Sequence, residues 1–151
     1  MRIEDRFVVP VPKAQVWQAI TDPALVAKCV PGCETVEVLS PTLYRATVKV
    51  EIGPIKARFN LTVEVKEQIP FDEIRSVTRG DEGTKASIVT AENIVRLAAT
   101  QDGGTEIRYA SEVMIAGRLG KFGFGIMQKK AKALGEDFAK AFRDKVAAQI
   151  S

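Results

Sequence analysis

The sequence of 151 residues contains no histidine. Without imidazole there is no Ser-His-Asp or Cys-His nucleophile pair, no two-histidine zinc motif, no histidine-ligated haem or iron, and no histidine proton shuttle near neutral pH. Any catalysis would have to rest on Asp, Glu, Lys, Tyr, Cys or bound water. Cysteine is scarce as well. Cys29 and Cys33 lie in Cys-Val-Pro-Gly-Cys, which is neither a redox Cys-x-x-Cys nor a four-ligand metal set. The expectation is two small thiols around a Pro-Gly turn, with no metal and no cofactor. No run approaches the roughly 18 apolar residues of a membrane span. Met1 to Val11 is charged and alternating and lacks the apolar stretch of a secretory signal. A cytoplasmic location is expected.

What is present describes one soluble domain over residues 1–151: 46% hydrophobic and 27% charged residues, enough to bury a core at this length. There is no internal repeat and no low-complexity stretch. Arg2 to Val9 alternates as a strand that Pro10 and Pro12 stop. The period then becomes helical through Val16, Trp17 and Ile20. Asp22-Pro23 supplies an N-cap with proline at the first helical position, predicting a second short helix through Leu25, Val26 and Val30.

Beyond Cys33 the period is two for about eighty residues. Tyr44, Ala46, Val48, Val50 and Ile52 share one face; Phe59, Leu61, Val63 and Val65 share another such register, and a shorter strand covers Ile74 to Arg79. Gly80-Asp81-Glu82-Gly83 reads as a turn. Val89 to Leu97 and Ile107 to Ile115 alternate on either side of the Asp102-Gly103-Gly104 hairpin turn. Gly117 to Ser151 reads as one long helical segment, with a stripe through Phe122, Ile126, Met127, Leu134, Phe138, Ala141, Phe142 and Val146. Roughly thirty helical residues would span about 45 Å, enough to cross a whole sheet. Helices segregated from hairpin-connected strands predict an α+β fold: a curved antiparallel sheet of about seven strands against a long C-terminal helix, with two short helices after the first strand. Where sheet and helix do not close fully, a pocket remains.

The residues expected to face that helix are Tyr44, Val48, Phe59, Leu61, Val63, Val95 and Val113 from the strands, with Trp17 from the first helix. Phe122, Phe124, Ile126, Met127, Leu134 and Phe138 face them from the helix. Ordinary core would use the same residue types. More telling are polar residues on the apolar register, namely Asn93, Tyr109 and Ser111, joined by Ser76 and Thr78. A buried hydroxyl or amide without a partner costs about 1–3 kcal/mol, so such groups bond locally or meet a ligand or water. Gly117, Gly120, Gly123 and Gly125 crowd the opening of the helix, through close backbone approach or as a loose gate.

The net charge of +3 is unevenly placed: residues 119–151 carry seven Lys+Arg against three Asp+Glu. Lys121, Lys129, Lys130 and Lys132 form either a solvated helix face or one that meets anionic headgroups or a partner. Nucleic acid is not expected, since stacking aromatics and a readout motif are both lacking.

Five short motifs stand out in order: Phe7-Val8-Val9-Pro10-Val11-Pro12 before Val16-Trp17, then Asp22-Pro23, Val30-Pro31-Gly32-Cys33-Glu34, Val50-Glu51-Ile52-Gly53-Pro54-Ile55 and Gly117-Arg118-Leu119. In them the chain resembles the carbon monoxide dehydrogenase G-subunit family of the START-like (SRPBCC, helix-grip) superfamily. The resemblance implies a helix-grip fold around an apolar cavity. It also implies a small accessory protein that binds a lipid- or quinone-like molecule and serves the maturation or membrane docking of a molybdenum hydroxylase such as carbon monoxide dehydrogenase. Peripheral contact with the inner membrane face and a homodimer are compatible with it. Longer relatives carry a membrane-seeking C-terminal tail, which a chain ending at Ser151 is not expected to supply. The alternatives are a cyclase or hydratase of the same superfamily, with Tyr109 the strongest inward-facing candidate, and a purely protein-binding assembly factor.

Overall fold

A computed structural model describes residues 1–83 and 86–150, apart from the side chains of Phe124, Gln149 and Ile150. The chain begins with β1 (Arg2–Val9), crosses through α1 (Lys13–Ile20) and α2 (Pro23–Cys29), and continues with β2 (Cys33–Ser40), β3 (Leu43–Ile52) and β4 (Ile55–Ile69). It then forms β5 (Glu73–Glu82), β6 (Ser87–Ala99), β7 (Thr105–Gly117) and α3 (Phe124–Ile150). All pairings are antiparallel, in the order β1-β7-β6-β5-β4-β3-β2. This is the helix-grip architecture, a curved open sheet of seven strands with a C-terminal helix. Because β1 and β2 lie at opposite edges, α1 and α2 must run from one edge to the other.

Local chemistry sets the boundaries. The Asp22 carboxylate accepts from the N–H groups of Ala24 and Leu25 at 3.1 and 3.4 Å, and Pro23 has no N–H to leave unsatisfied. The expected turn at Gly80 is instead strand: β5 continues through Glu82, paired by Leu61↔Gly80 and Phe59↔Glu82. The final helix also starts later than its periodicity suggests. Gly117 adopts φ +90° where a Cβ would collide with the Ala86 carbonyl, a 3-10 turn follows over Arg118–Lys121, and α3 starts at Phe124.

Two cores form at opposite ends of the inner sheet face. One joins Val9, Val16, Leu25, Ile107, Phe142 and Val146 beneath the C-terminal half of α3, with Phe142 edge-on to Phe7 and stacked on Phe138. The other joins Ile52, Ala57, Phe59 and Leu119, with Phe122 against it. It is locked by an ion pair with a buried carboxylate, in which the Arg118 Nε donates to both Glu82 oxygens at 3.1 and 3.0 Å, and by Leu119 N–H donating to Ser87 Oγ at 3.1 Å. Arg118 holds the Glu82 carboxyl below the usual carboxylate range. Between the two cores the sheet face is half-exposed at Leu61, Val63, Val65, Ser76, Thr78, Asn93 and Val95.

Candidate functional site

The half-exposed stretch is the floor of a cavity of about 430 Å3. Strands β3 to β7 supply the floor. α2 supplies Pro23 and Val26 on one side, joined by its C-cap Val30, and α3 covers it with Gly135 and Phe138. The glycine at position 135 leaves room for the Tyr109 hydroxyl, which a Cβ there would meet. Among the described residues that line this cavity none is charged. A larger groove on the opposite sheet face, about 670 Å3, is wide open and lined by Arg45, Arg79, Asp81 and threonines, which describes a solvated polar surface.

Register explains the polar part of the wall. Ser76 pairs with Asn93, and Asn93 with Ser111, so three adjacent strands place a polar side chain at the same level. The Asn93 amide donates one hydrogen to Ser76 Oγ at 3.3 Å and the other to Thr78 Oγ1 at 3.0 Å, while its carbonyl oxygen accepts from Ser111 Oγ at 2.8 Å. Asn93 is then saturated as a donor. The hydroxyl hydrogens of Ser76 and Thr78 have no acceptor among the described residues, and neither tyrosine hydroxyl on the wall, Tyr44 or Tyr109, has a hydrogen-bond partner there. Four O–H donors therefore border an uncharged cavity.

Their protonation is secure. Burial, reinforced by Cys33, pushes the Tyr44 hydroxyl above its ordinary value; burial, with Asp5 and Glu136, does the same for Tyr109. Burial likewise raises both thiols, Cys29 and Cys33, away from the reactive thiolate. Cys33 lines the cavity and lies 3.5 Å from the Thr35 carbonyl. The wall can donate hydrogen bonds and exclude water, but it presents no carboxylate or thiolate to act as a base. Among the described residues no group of three or more His, Cys, Asp or Glu could hold a metal.

The structure brings Tyr44, Val48, Leu61, Val63, Ser76, Thr78, Asn93, Val95, Tyr109, Ser111 and Phe138 together on this wall. It separates others. Phe59, Val113, Met127 and Leu134 line a second, smaller chamber of about 230 Å3 beneath the N-terminal half of α3. Trp17 is not on the wall; it lies 6.0 Å from Phe71, a residue held at φ +70°. Phe122 packs on the second core, and Ile126 is 53% exposed on the far side of α3, one position and therefore about 100° from Met127. The side chain of Phe124 lies outside the described residues. The four glycines are not on the main cavity: Gly117 and Gly120 allow close approach to Ala86 and Ile115, whereas added Cβ atoms at Gly123 and Gly125 would meet open space. Lys121, Lys129 and Lys132 are exposed and Lys130 half-exposed beside the second chamber.

Residues that sequence reasoning missed include the α2 wall, Phe7, Gln68, Cys33 and Gly135. A glycine in the middle of a helix, opposite a tyrosine on the inward strand register, was the available signal for the last.

No helix among the described residues is long and apolar enough to cross a membrane. No curated protein matches the chain. Its fold is similar to that of a conserved protein from Geobacillus kaustophilus, 23% identical with a TM-score of 0.90 over 98% of this chain and 96% of that one. It is similar to a START superfamily protein from Mycobacterium smegmatis, 16% identical with a TM-score of 0.77 over 99% of both chains. The Zhui aromatase/cyclase from Streptomyces sp. R1128 shares the fold at 14% identity and a TM-score of 0.71, over 100% of this chain and 96% of the other. Sequence supplies the family: with residues 6–147 matching its model, the chain belongs to the carbon monoxide dehydrogenase G-subunit (CoxG) family.

Proposed function

We propose that the protein is a non-catalytic carrier that holds a neutral, lipid- or quinone-like molecule between its sheet and α3. The observation that carries this reading is a cavity wall with no charged residue and with four hydroxyl donors lacking acceptors. Such a wall excludes a buried ion, because an unpaired charge there would lose its hydration without compensation. It favours a molecule that is mostly hydrocarbon and carries carbonyl- or ether-type acceptors. A base is what a cyclase or hydratase would need, and the raised pKa of Tyr109 makes it a donor.

The family's name supports an accessory role beside a carbon monoxide dehydrogenase, a molybdenum hydroxylase, in its maturation or its docking to the membrane. The exposed lysines of α3 supply a face for anionic headgroups, each contributing about 1 kcal/mol near a charged surface. Native mass spectrometry of protein purified from its own host, followed by solvent extraction, is expected to release a neutral apolar molecule in stoichiometric amount. Val63→Trp and Val95→Trp, which fill the cavity from its floor, are expected to abolish uptake of the neutral fluorophore N-phenylnaphthylamine with the circular dichroism spectrum unchanged. Undiminished uptake in both would sink the carrier reading.

A further inference from the structure

The second chamber beneath the N-terminal half of α3 differs in chemistry from the main cavity. Its lining is apolar except for Thr78, Lys130 and Met1, whose N-terminal ammonium donates to the Val113 carbonyl at 2.8 Å. It adjoins the main cavity: Val48, Leu61 and Thr78 belong to both walls. Of the four hydroxyl donors of the main cavity, only Thr78 also borders the second chamber.

Leu61, which stands on both walls, packs over a glycine in mid-strand. Gly80 of β5 is the cross-strand partner of Leu61, and a Cβ there would run into the Asn60 carbonyl oxygen and lie 2.6 Å from the Leu61 Cδ2. Glycine in a strand interior weakens the strand, so its presence calls for a reason. The close approach of the β4 backbone supplies that reason, and it leaves Leu61 packed over the glycine where the two spaces meet.

We propose that the second chamber is a tail site. The ligand is then an amphiphile whose neutral, acceptor-bearing head sits among the Ser76, Thr78, Tyr44 and Tyr109 hydroxyls and whose hydrocarbon chain passes Leu61 into the space beneath Met127 and Ala131. This inference rests on the carrier reading, and adds to it an order of parts and a place for the chain.

Displacement of N-phenylnaphthylamine by methyl hexyl, methyl octyl and methyl decyl ketone tests it on the full chain. Each buried methylene strengthens binding about fourfold, so each step of two methylenes is expected to tighten binding on the order of tenfold in the wild type. Two variants fill the second chamber from opposite sides: Ile3→Trp from the sheet and Ala131→Phe from the helix, both residues lining it and not the main cavity. In each variant with an unchanged melting temperature, the shortest ketone is expected to bind as in the wild type and the chain-length steps to flatten to less than about threefold. Chain-length steps that survive in both variants, or steps absent from a wild type that binds the shortest ketone, overturn the tail site alone. Failure of every ketone to bind the wild type overturns the carrier reading, and this inference with it.

Discussion

The two halves of α3 have similar apolar content and opposite surroundings. From Phe138 to Val146 the helix lies on a filled core, with Phe142 and Val146 almost completely buried against Val9, Val16 and Ile107. From Phe124 to Leu134 it covers the second chamber, lined by Met127 and Leu134, with Met127 touching the second core on one side and Ile126 facing solvent. The same amphipathic pattern thus anchors one half and roofs a hollow with the other. An apolar stripe says which face of a helix turns inward; what it meets there depends on the distance to the sheet, which the helix alone does not encode.

The largest expected effect breaks the anchored half. Phe142→Ala removes a ring fully enclosed by the core and should cost about 3–5 kcal/mol in urea unfolding. Met127→Ala, on the roofing half, should cost only about 1 kcal/mol, because its side chain already lacks neighbours on one side. Equal losses at the two positions would show that the roof carries as much of the stability as the anchor, and the comparison would fail.

The next effect lies at the second core, where the chain turns from β7 toward α3. Glu82→Gln keeps the shape and removes the charge that Arg118 faces, and is expected to cost about 1–3 kcal/mol at neutral pH. The sign follows from the depressed carboxyl. The ionised form stabilises the fold above the unfolded-state value of about 4.3, and that contribution is lost as pH falls through the lower folded-state value. The stability difference between wild type and Glu82→Gln should therefore be full at neutral pH and shrink toward zero in acid. A difference that stays constant with pH would mean that the pair acts by packing alone.

These two sites also show what the sequence could and could not convey. Alternation is a local property, so the strands of the sheet and the inward register of Tyr44, Leu61, Val63, Val95 and Tyr109 were legible from residue order. Even the polar row could be anticipated, since Asn93 and Ser111 interrupt an apolar face. Illegible were features set by partners far along the chain. Gly80-Asp81-Glu82-Gly83 looks like a turn, yet Gly80 makes room for the Asn60 carbonyl and Leu61 of β4, and Glu82 serves Arg118, which lies 36 residues away. Trp17 and Val26 lie near each other in sequence and are both semi-buried apolar residues, but only Val26 reaches the cavity, because α2 borders it while Trp17 is turned toward Phe71. Ile126 shows the limit of periodicity. Its neighbour Met127 opens the sequence Met127, Ala131, Leu134 and Phe138 that actually faces the sheet, and a single residue of phase sends Ile126 to solvent.

The smallest expected effect on stability falls at the centre of the hollow. Asn93 joins Ser76, Thr78 and Ser111, and in a closed core its removal would strand three hydroxyls at about 1–3 kcal/mol each. Here all four residues are only half-buried and border a cavity, so water can replace the amide. Asn93→Ala should accordingly shift the urea unfolding free energy by less than about 1 kcal/mol. The amide nonetheless uses both its hydrogens on Ser76 and Thr78, which leaves their own hydrogens to point elsewhere. Without it the two hydroxyls turn freely, and the preference for a methyl alkyl ketone over the alkane of equal length should fall about fivefold, the equivalent of one hydrogen bond of about 1 kcal/mol. A loss of several kcal/mol in stability with unchanged ketone preference would make the polar row a structural strut, and the middle of the sheet would then belong with the anchored end of α3 instead of standing against it.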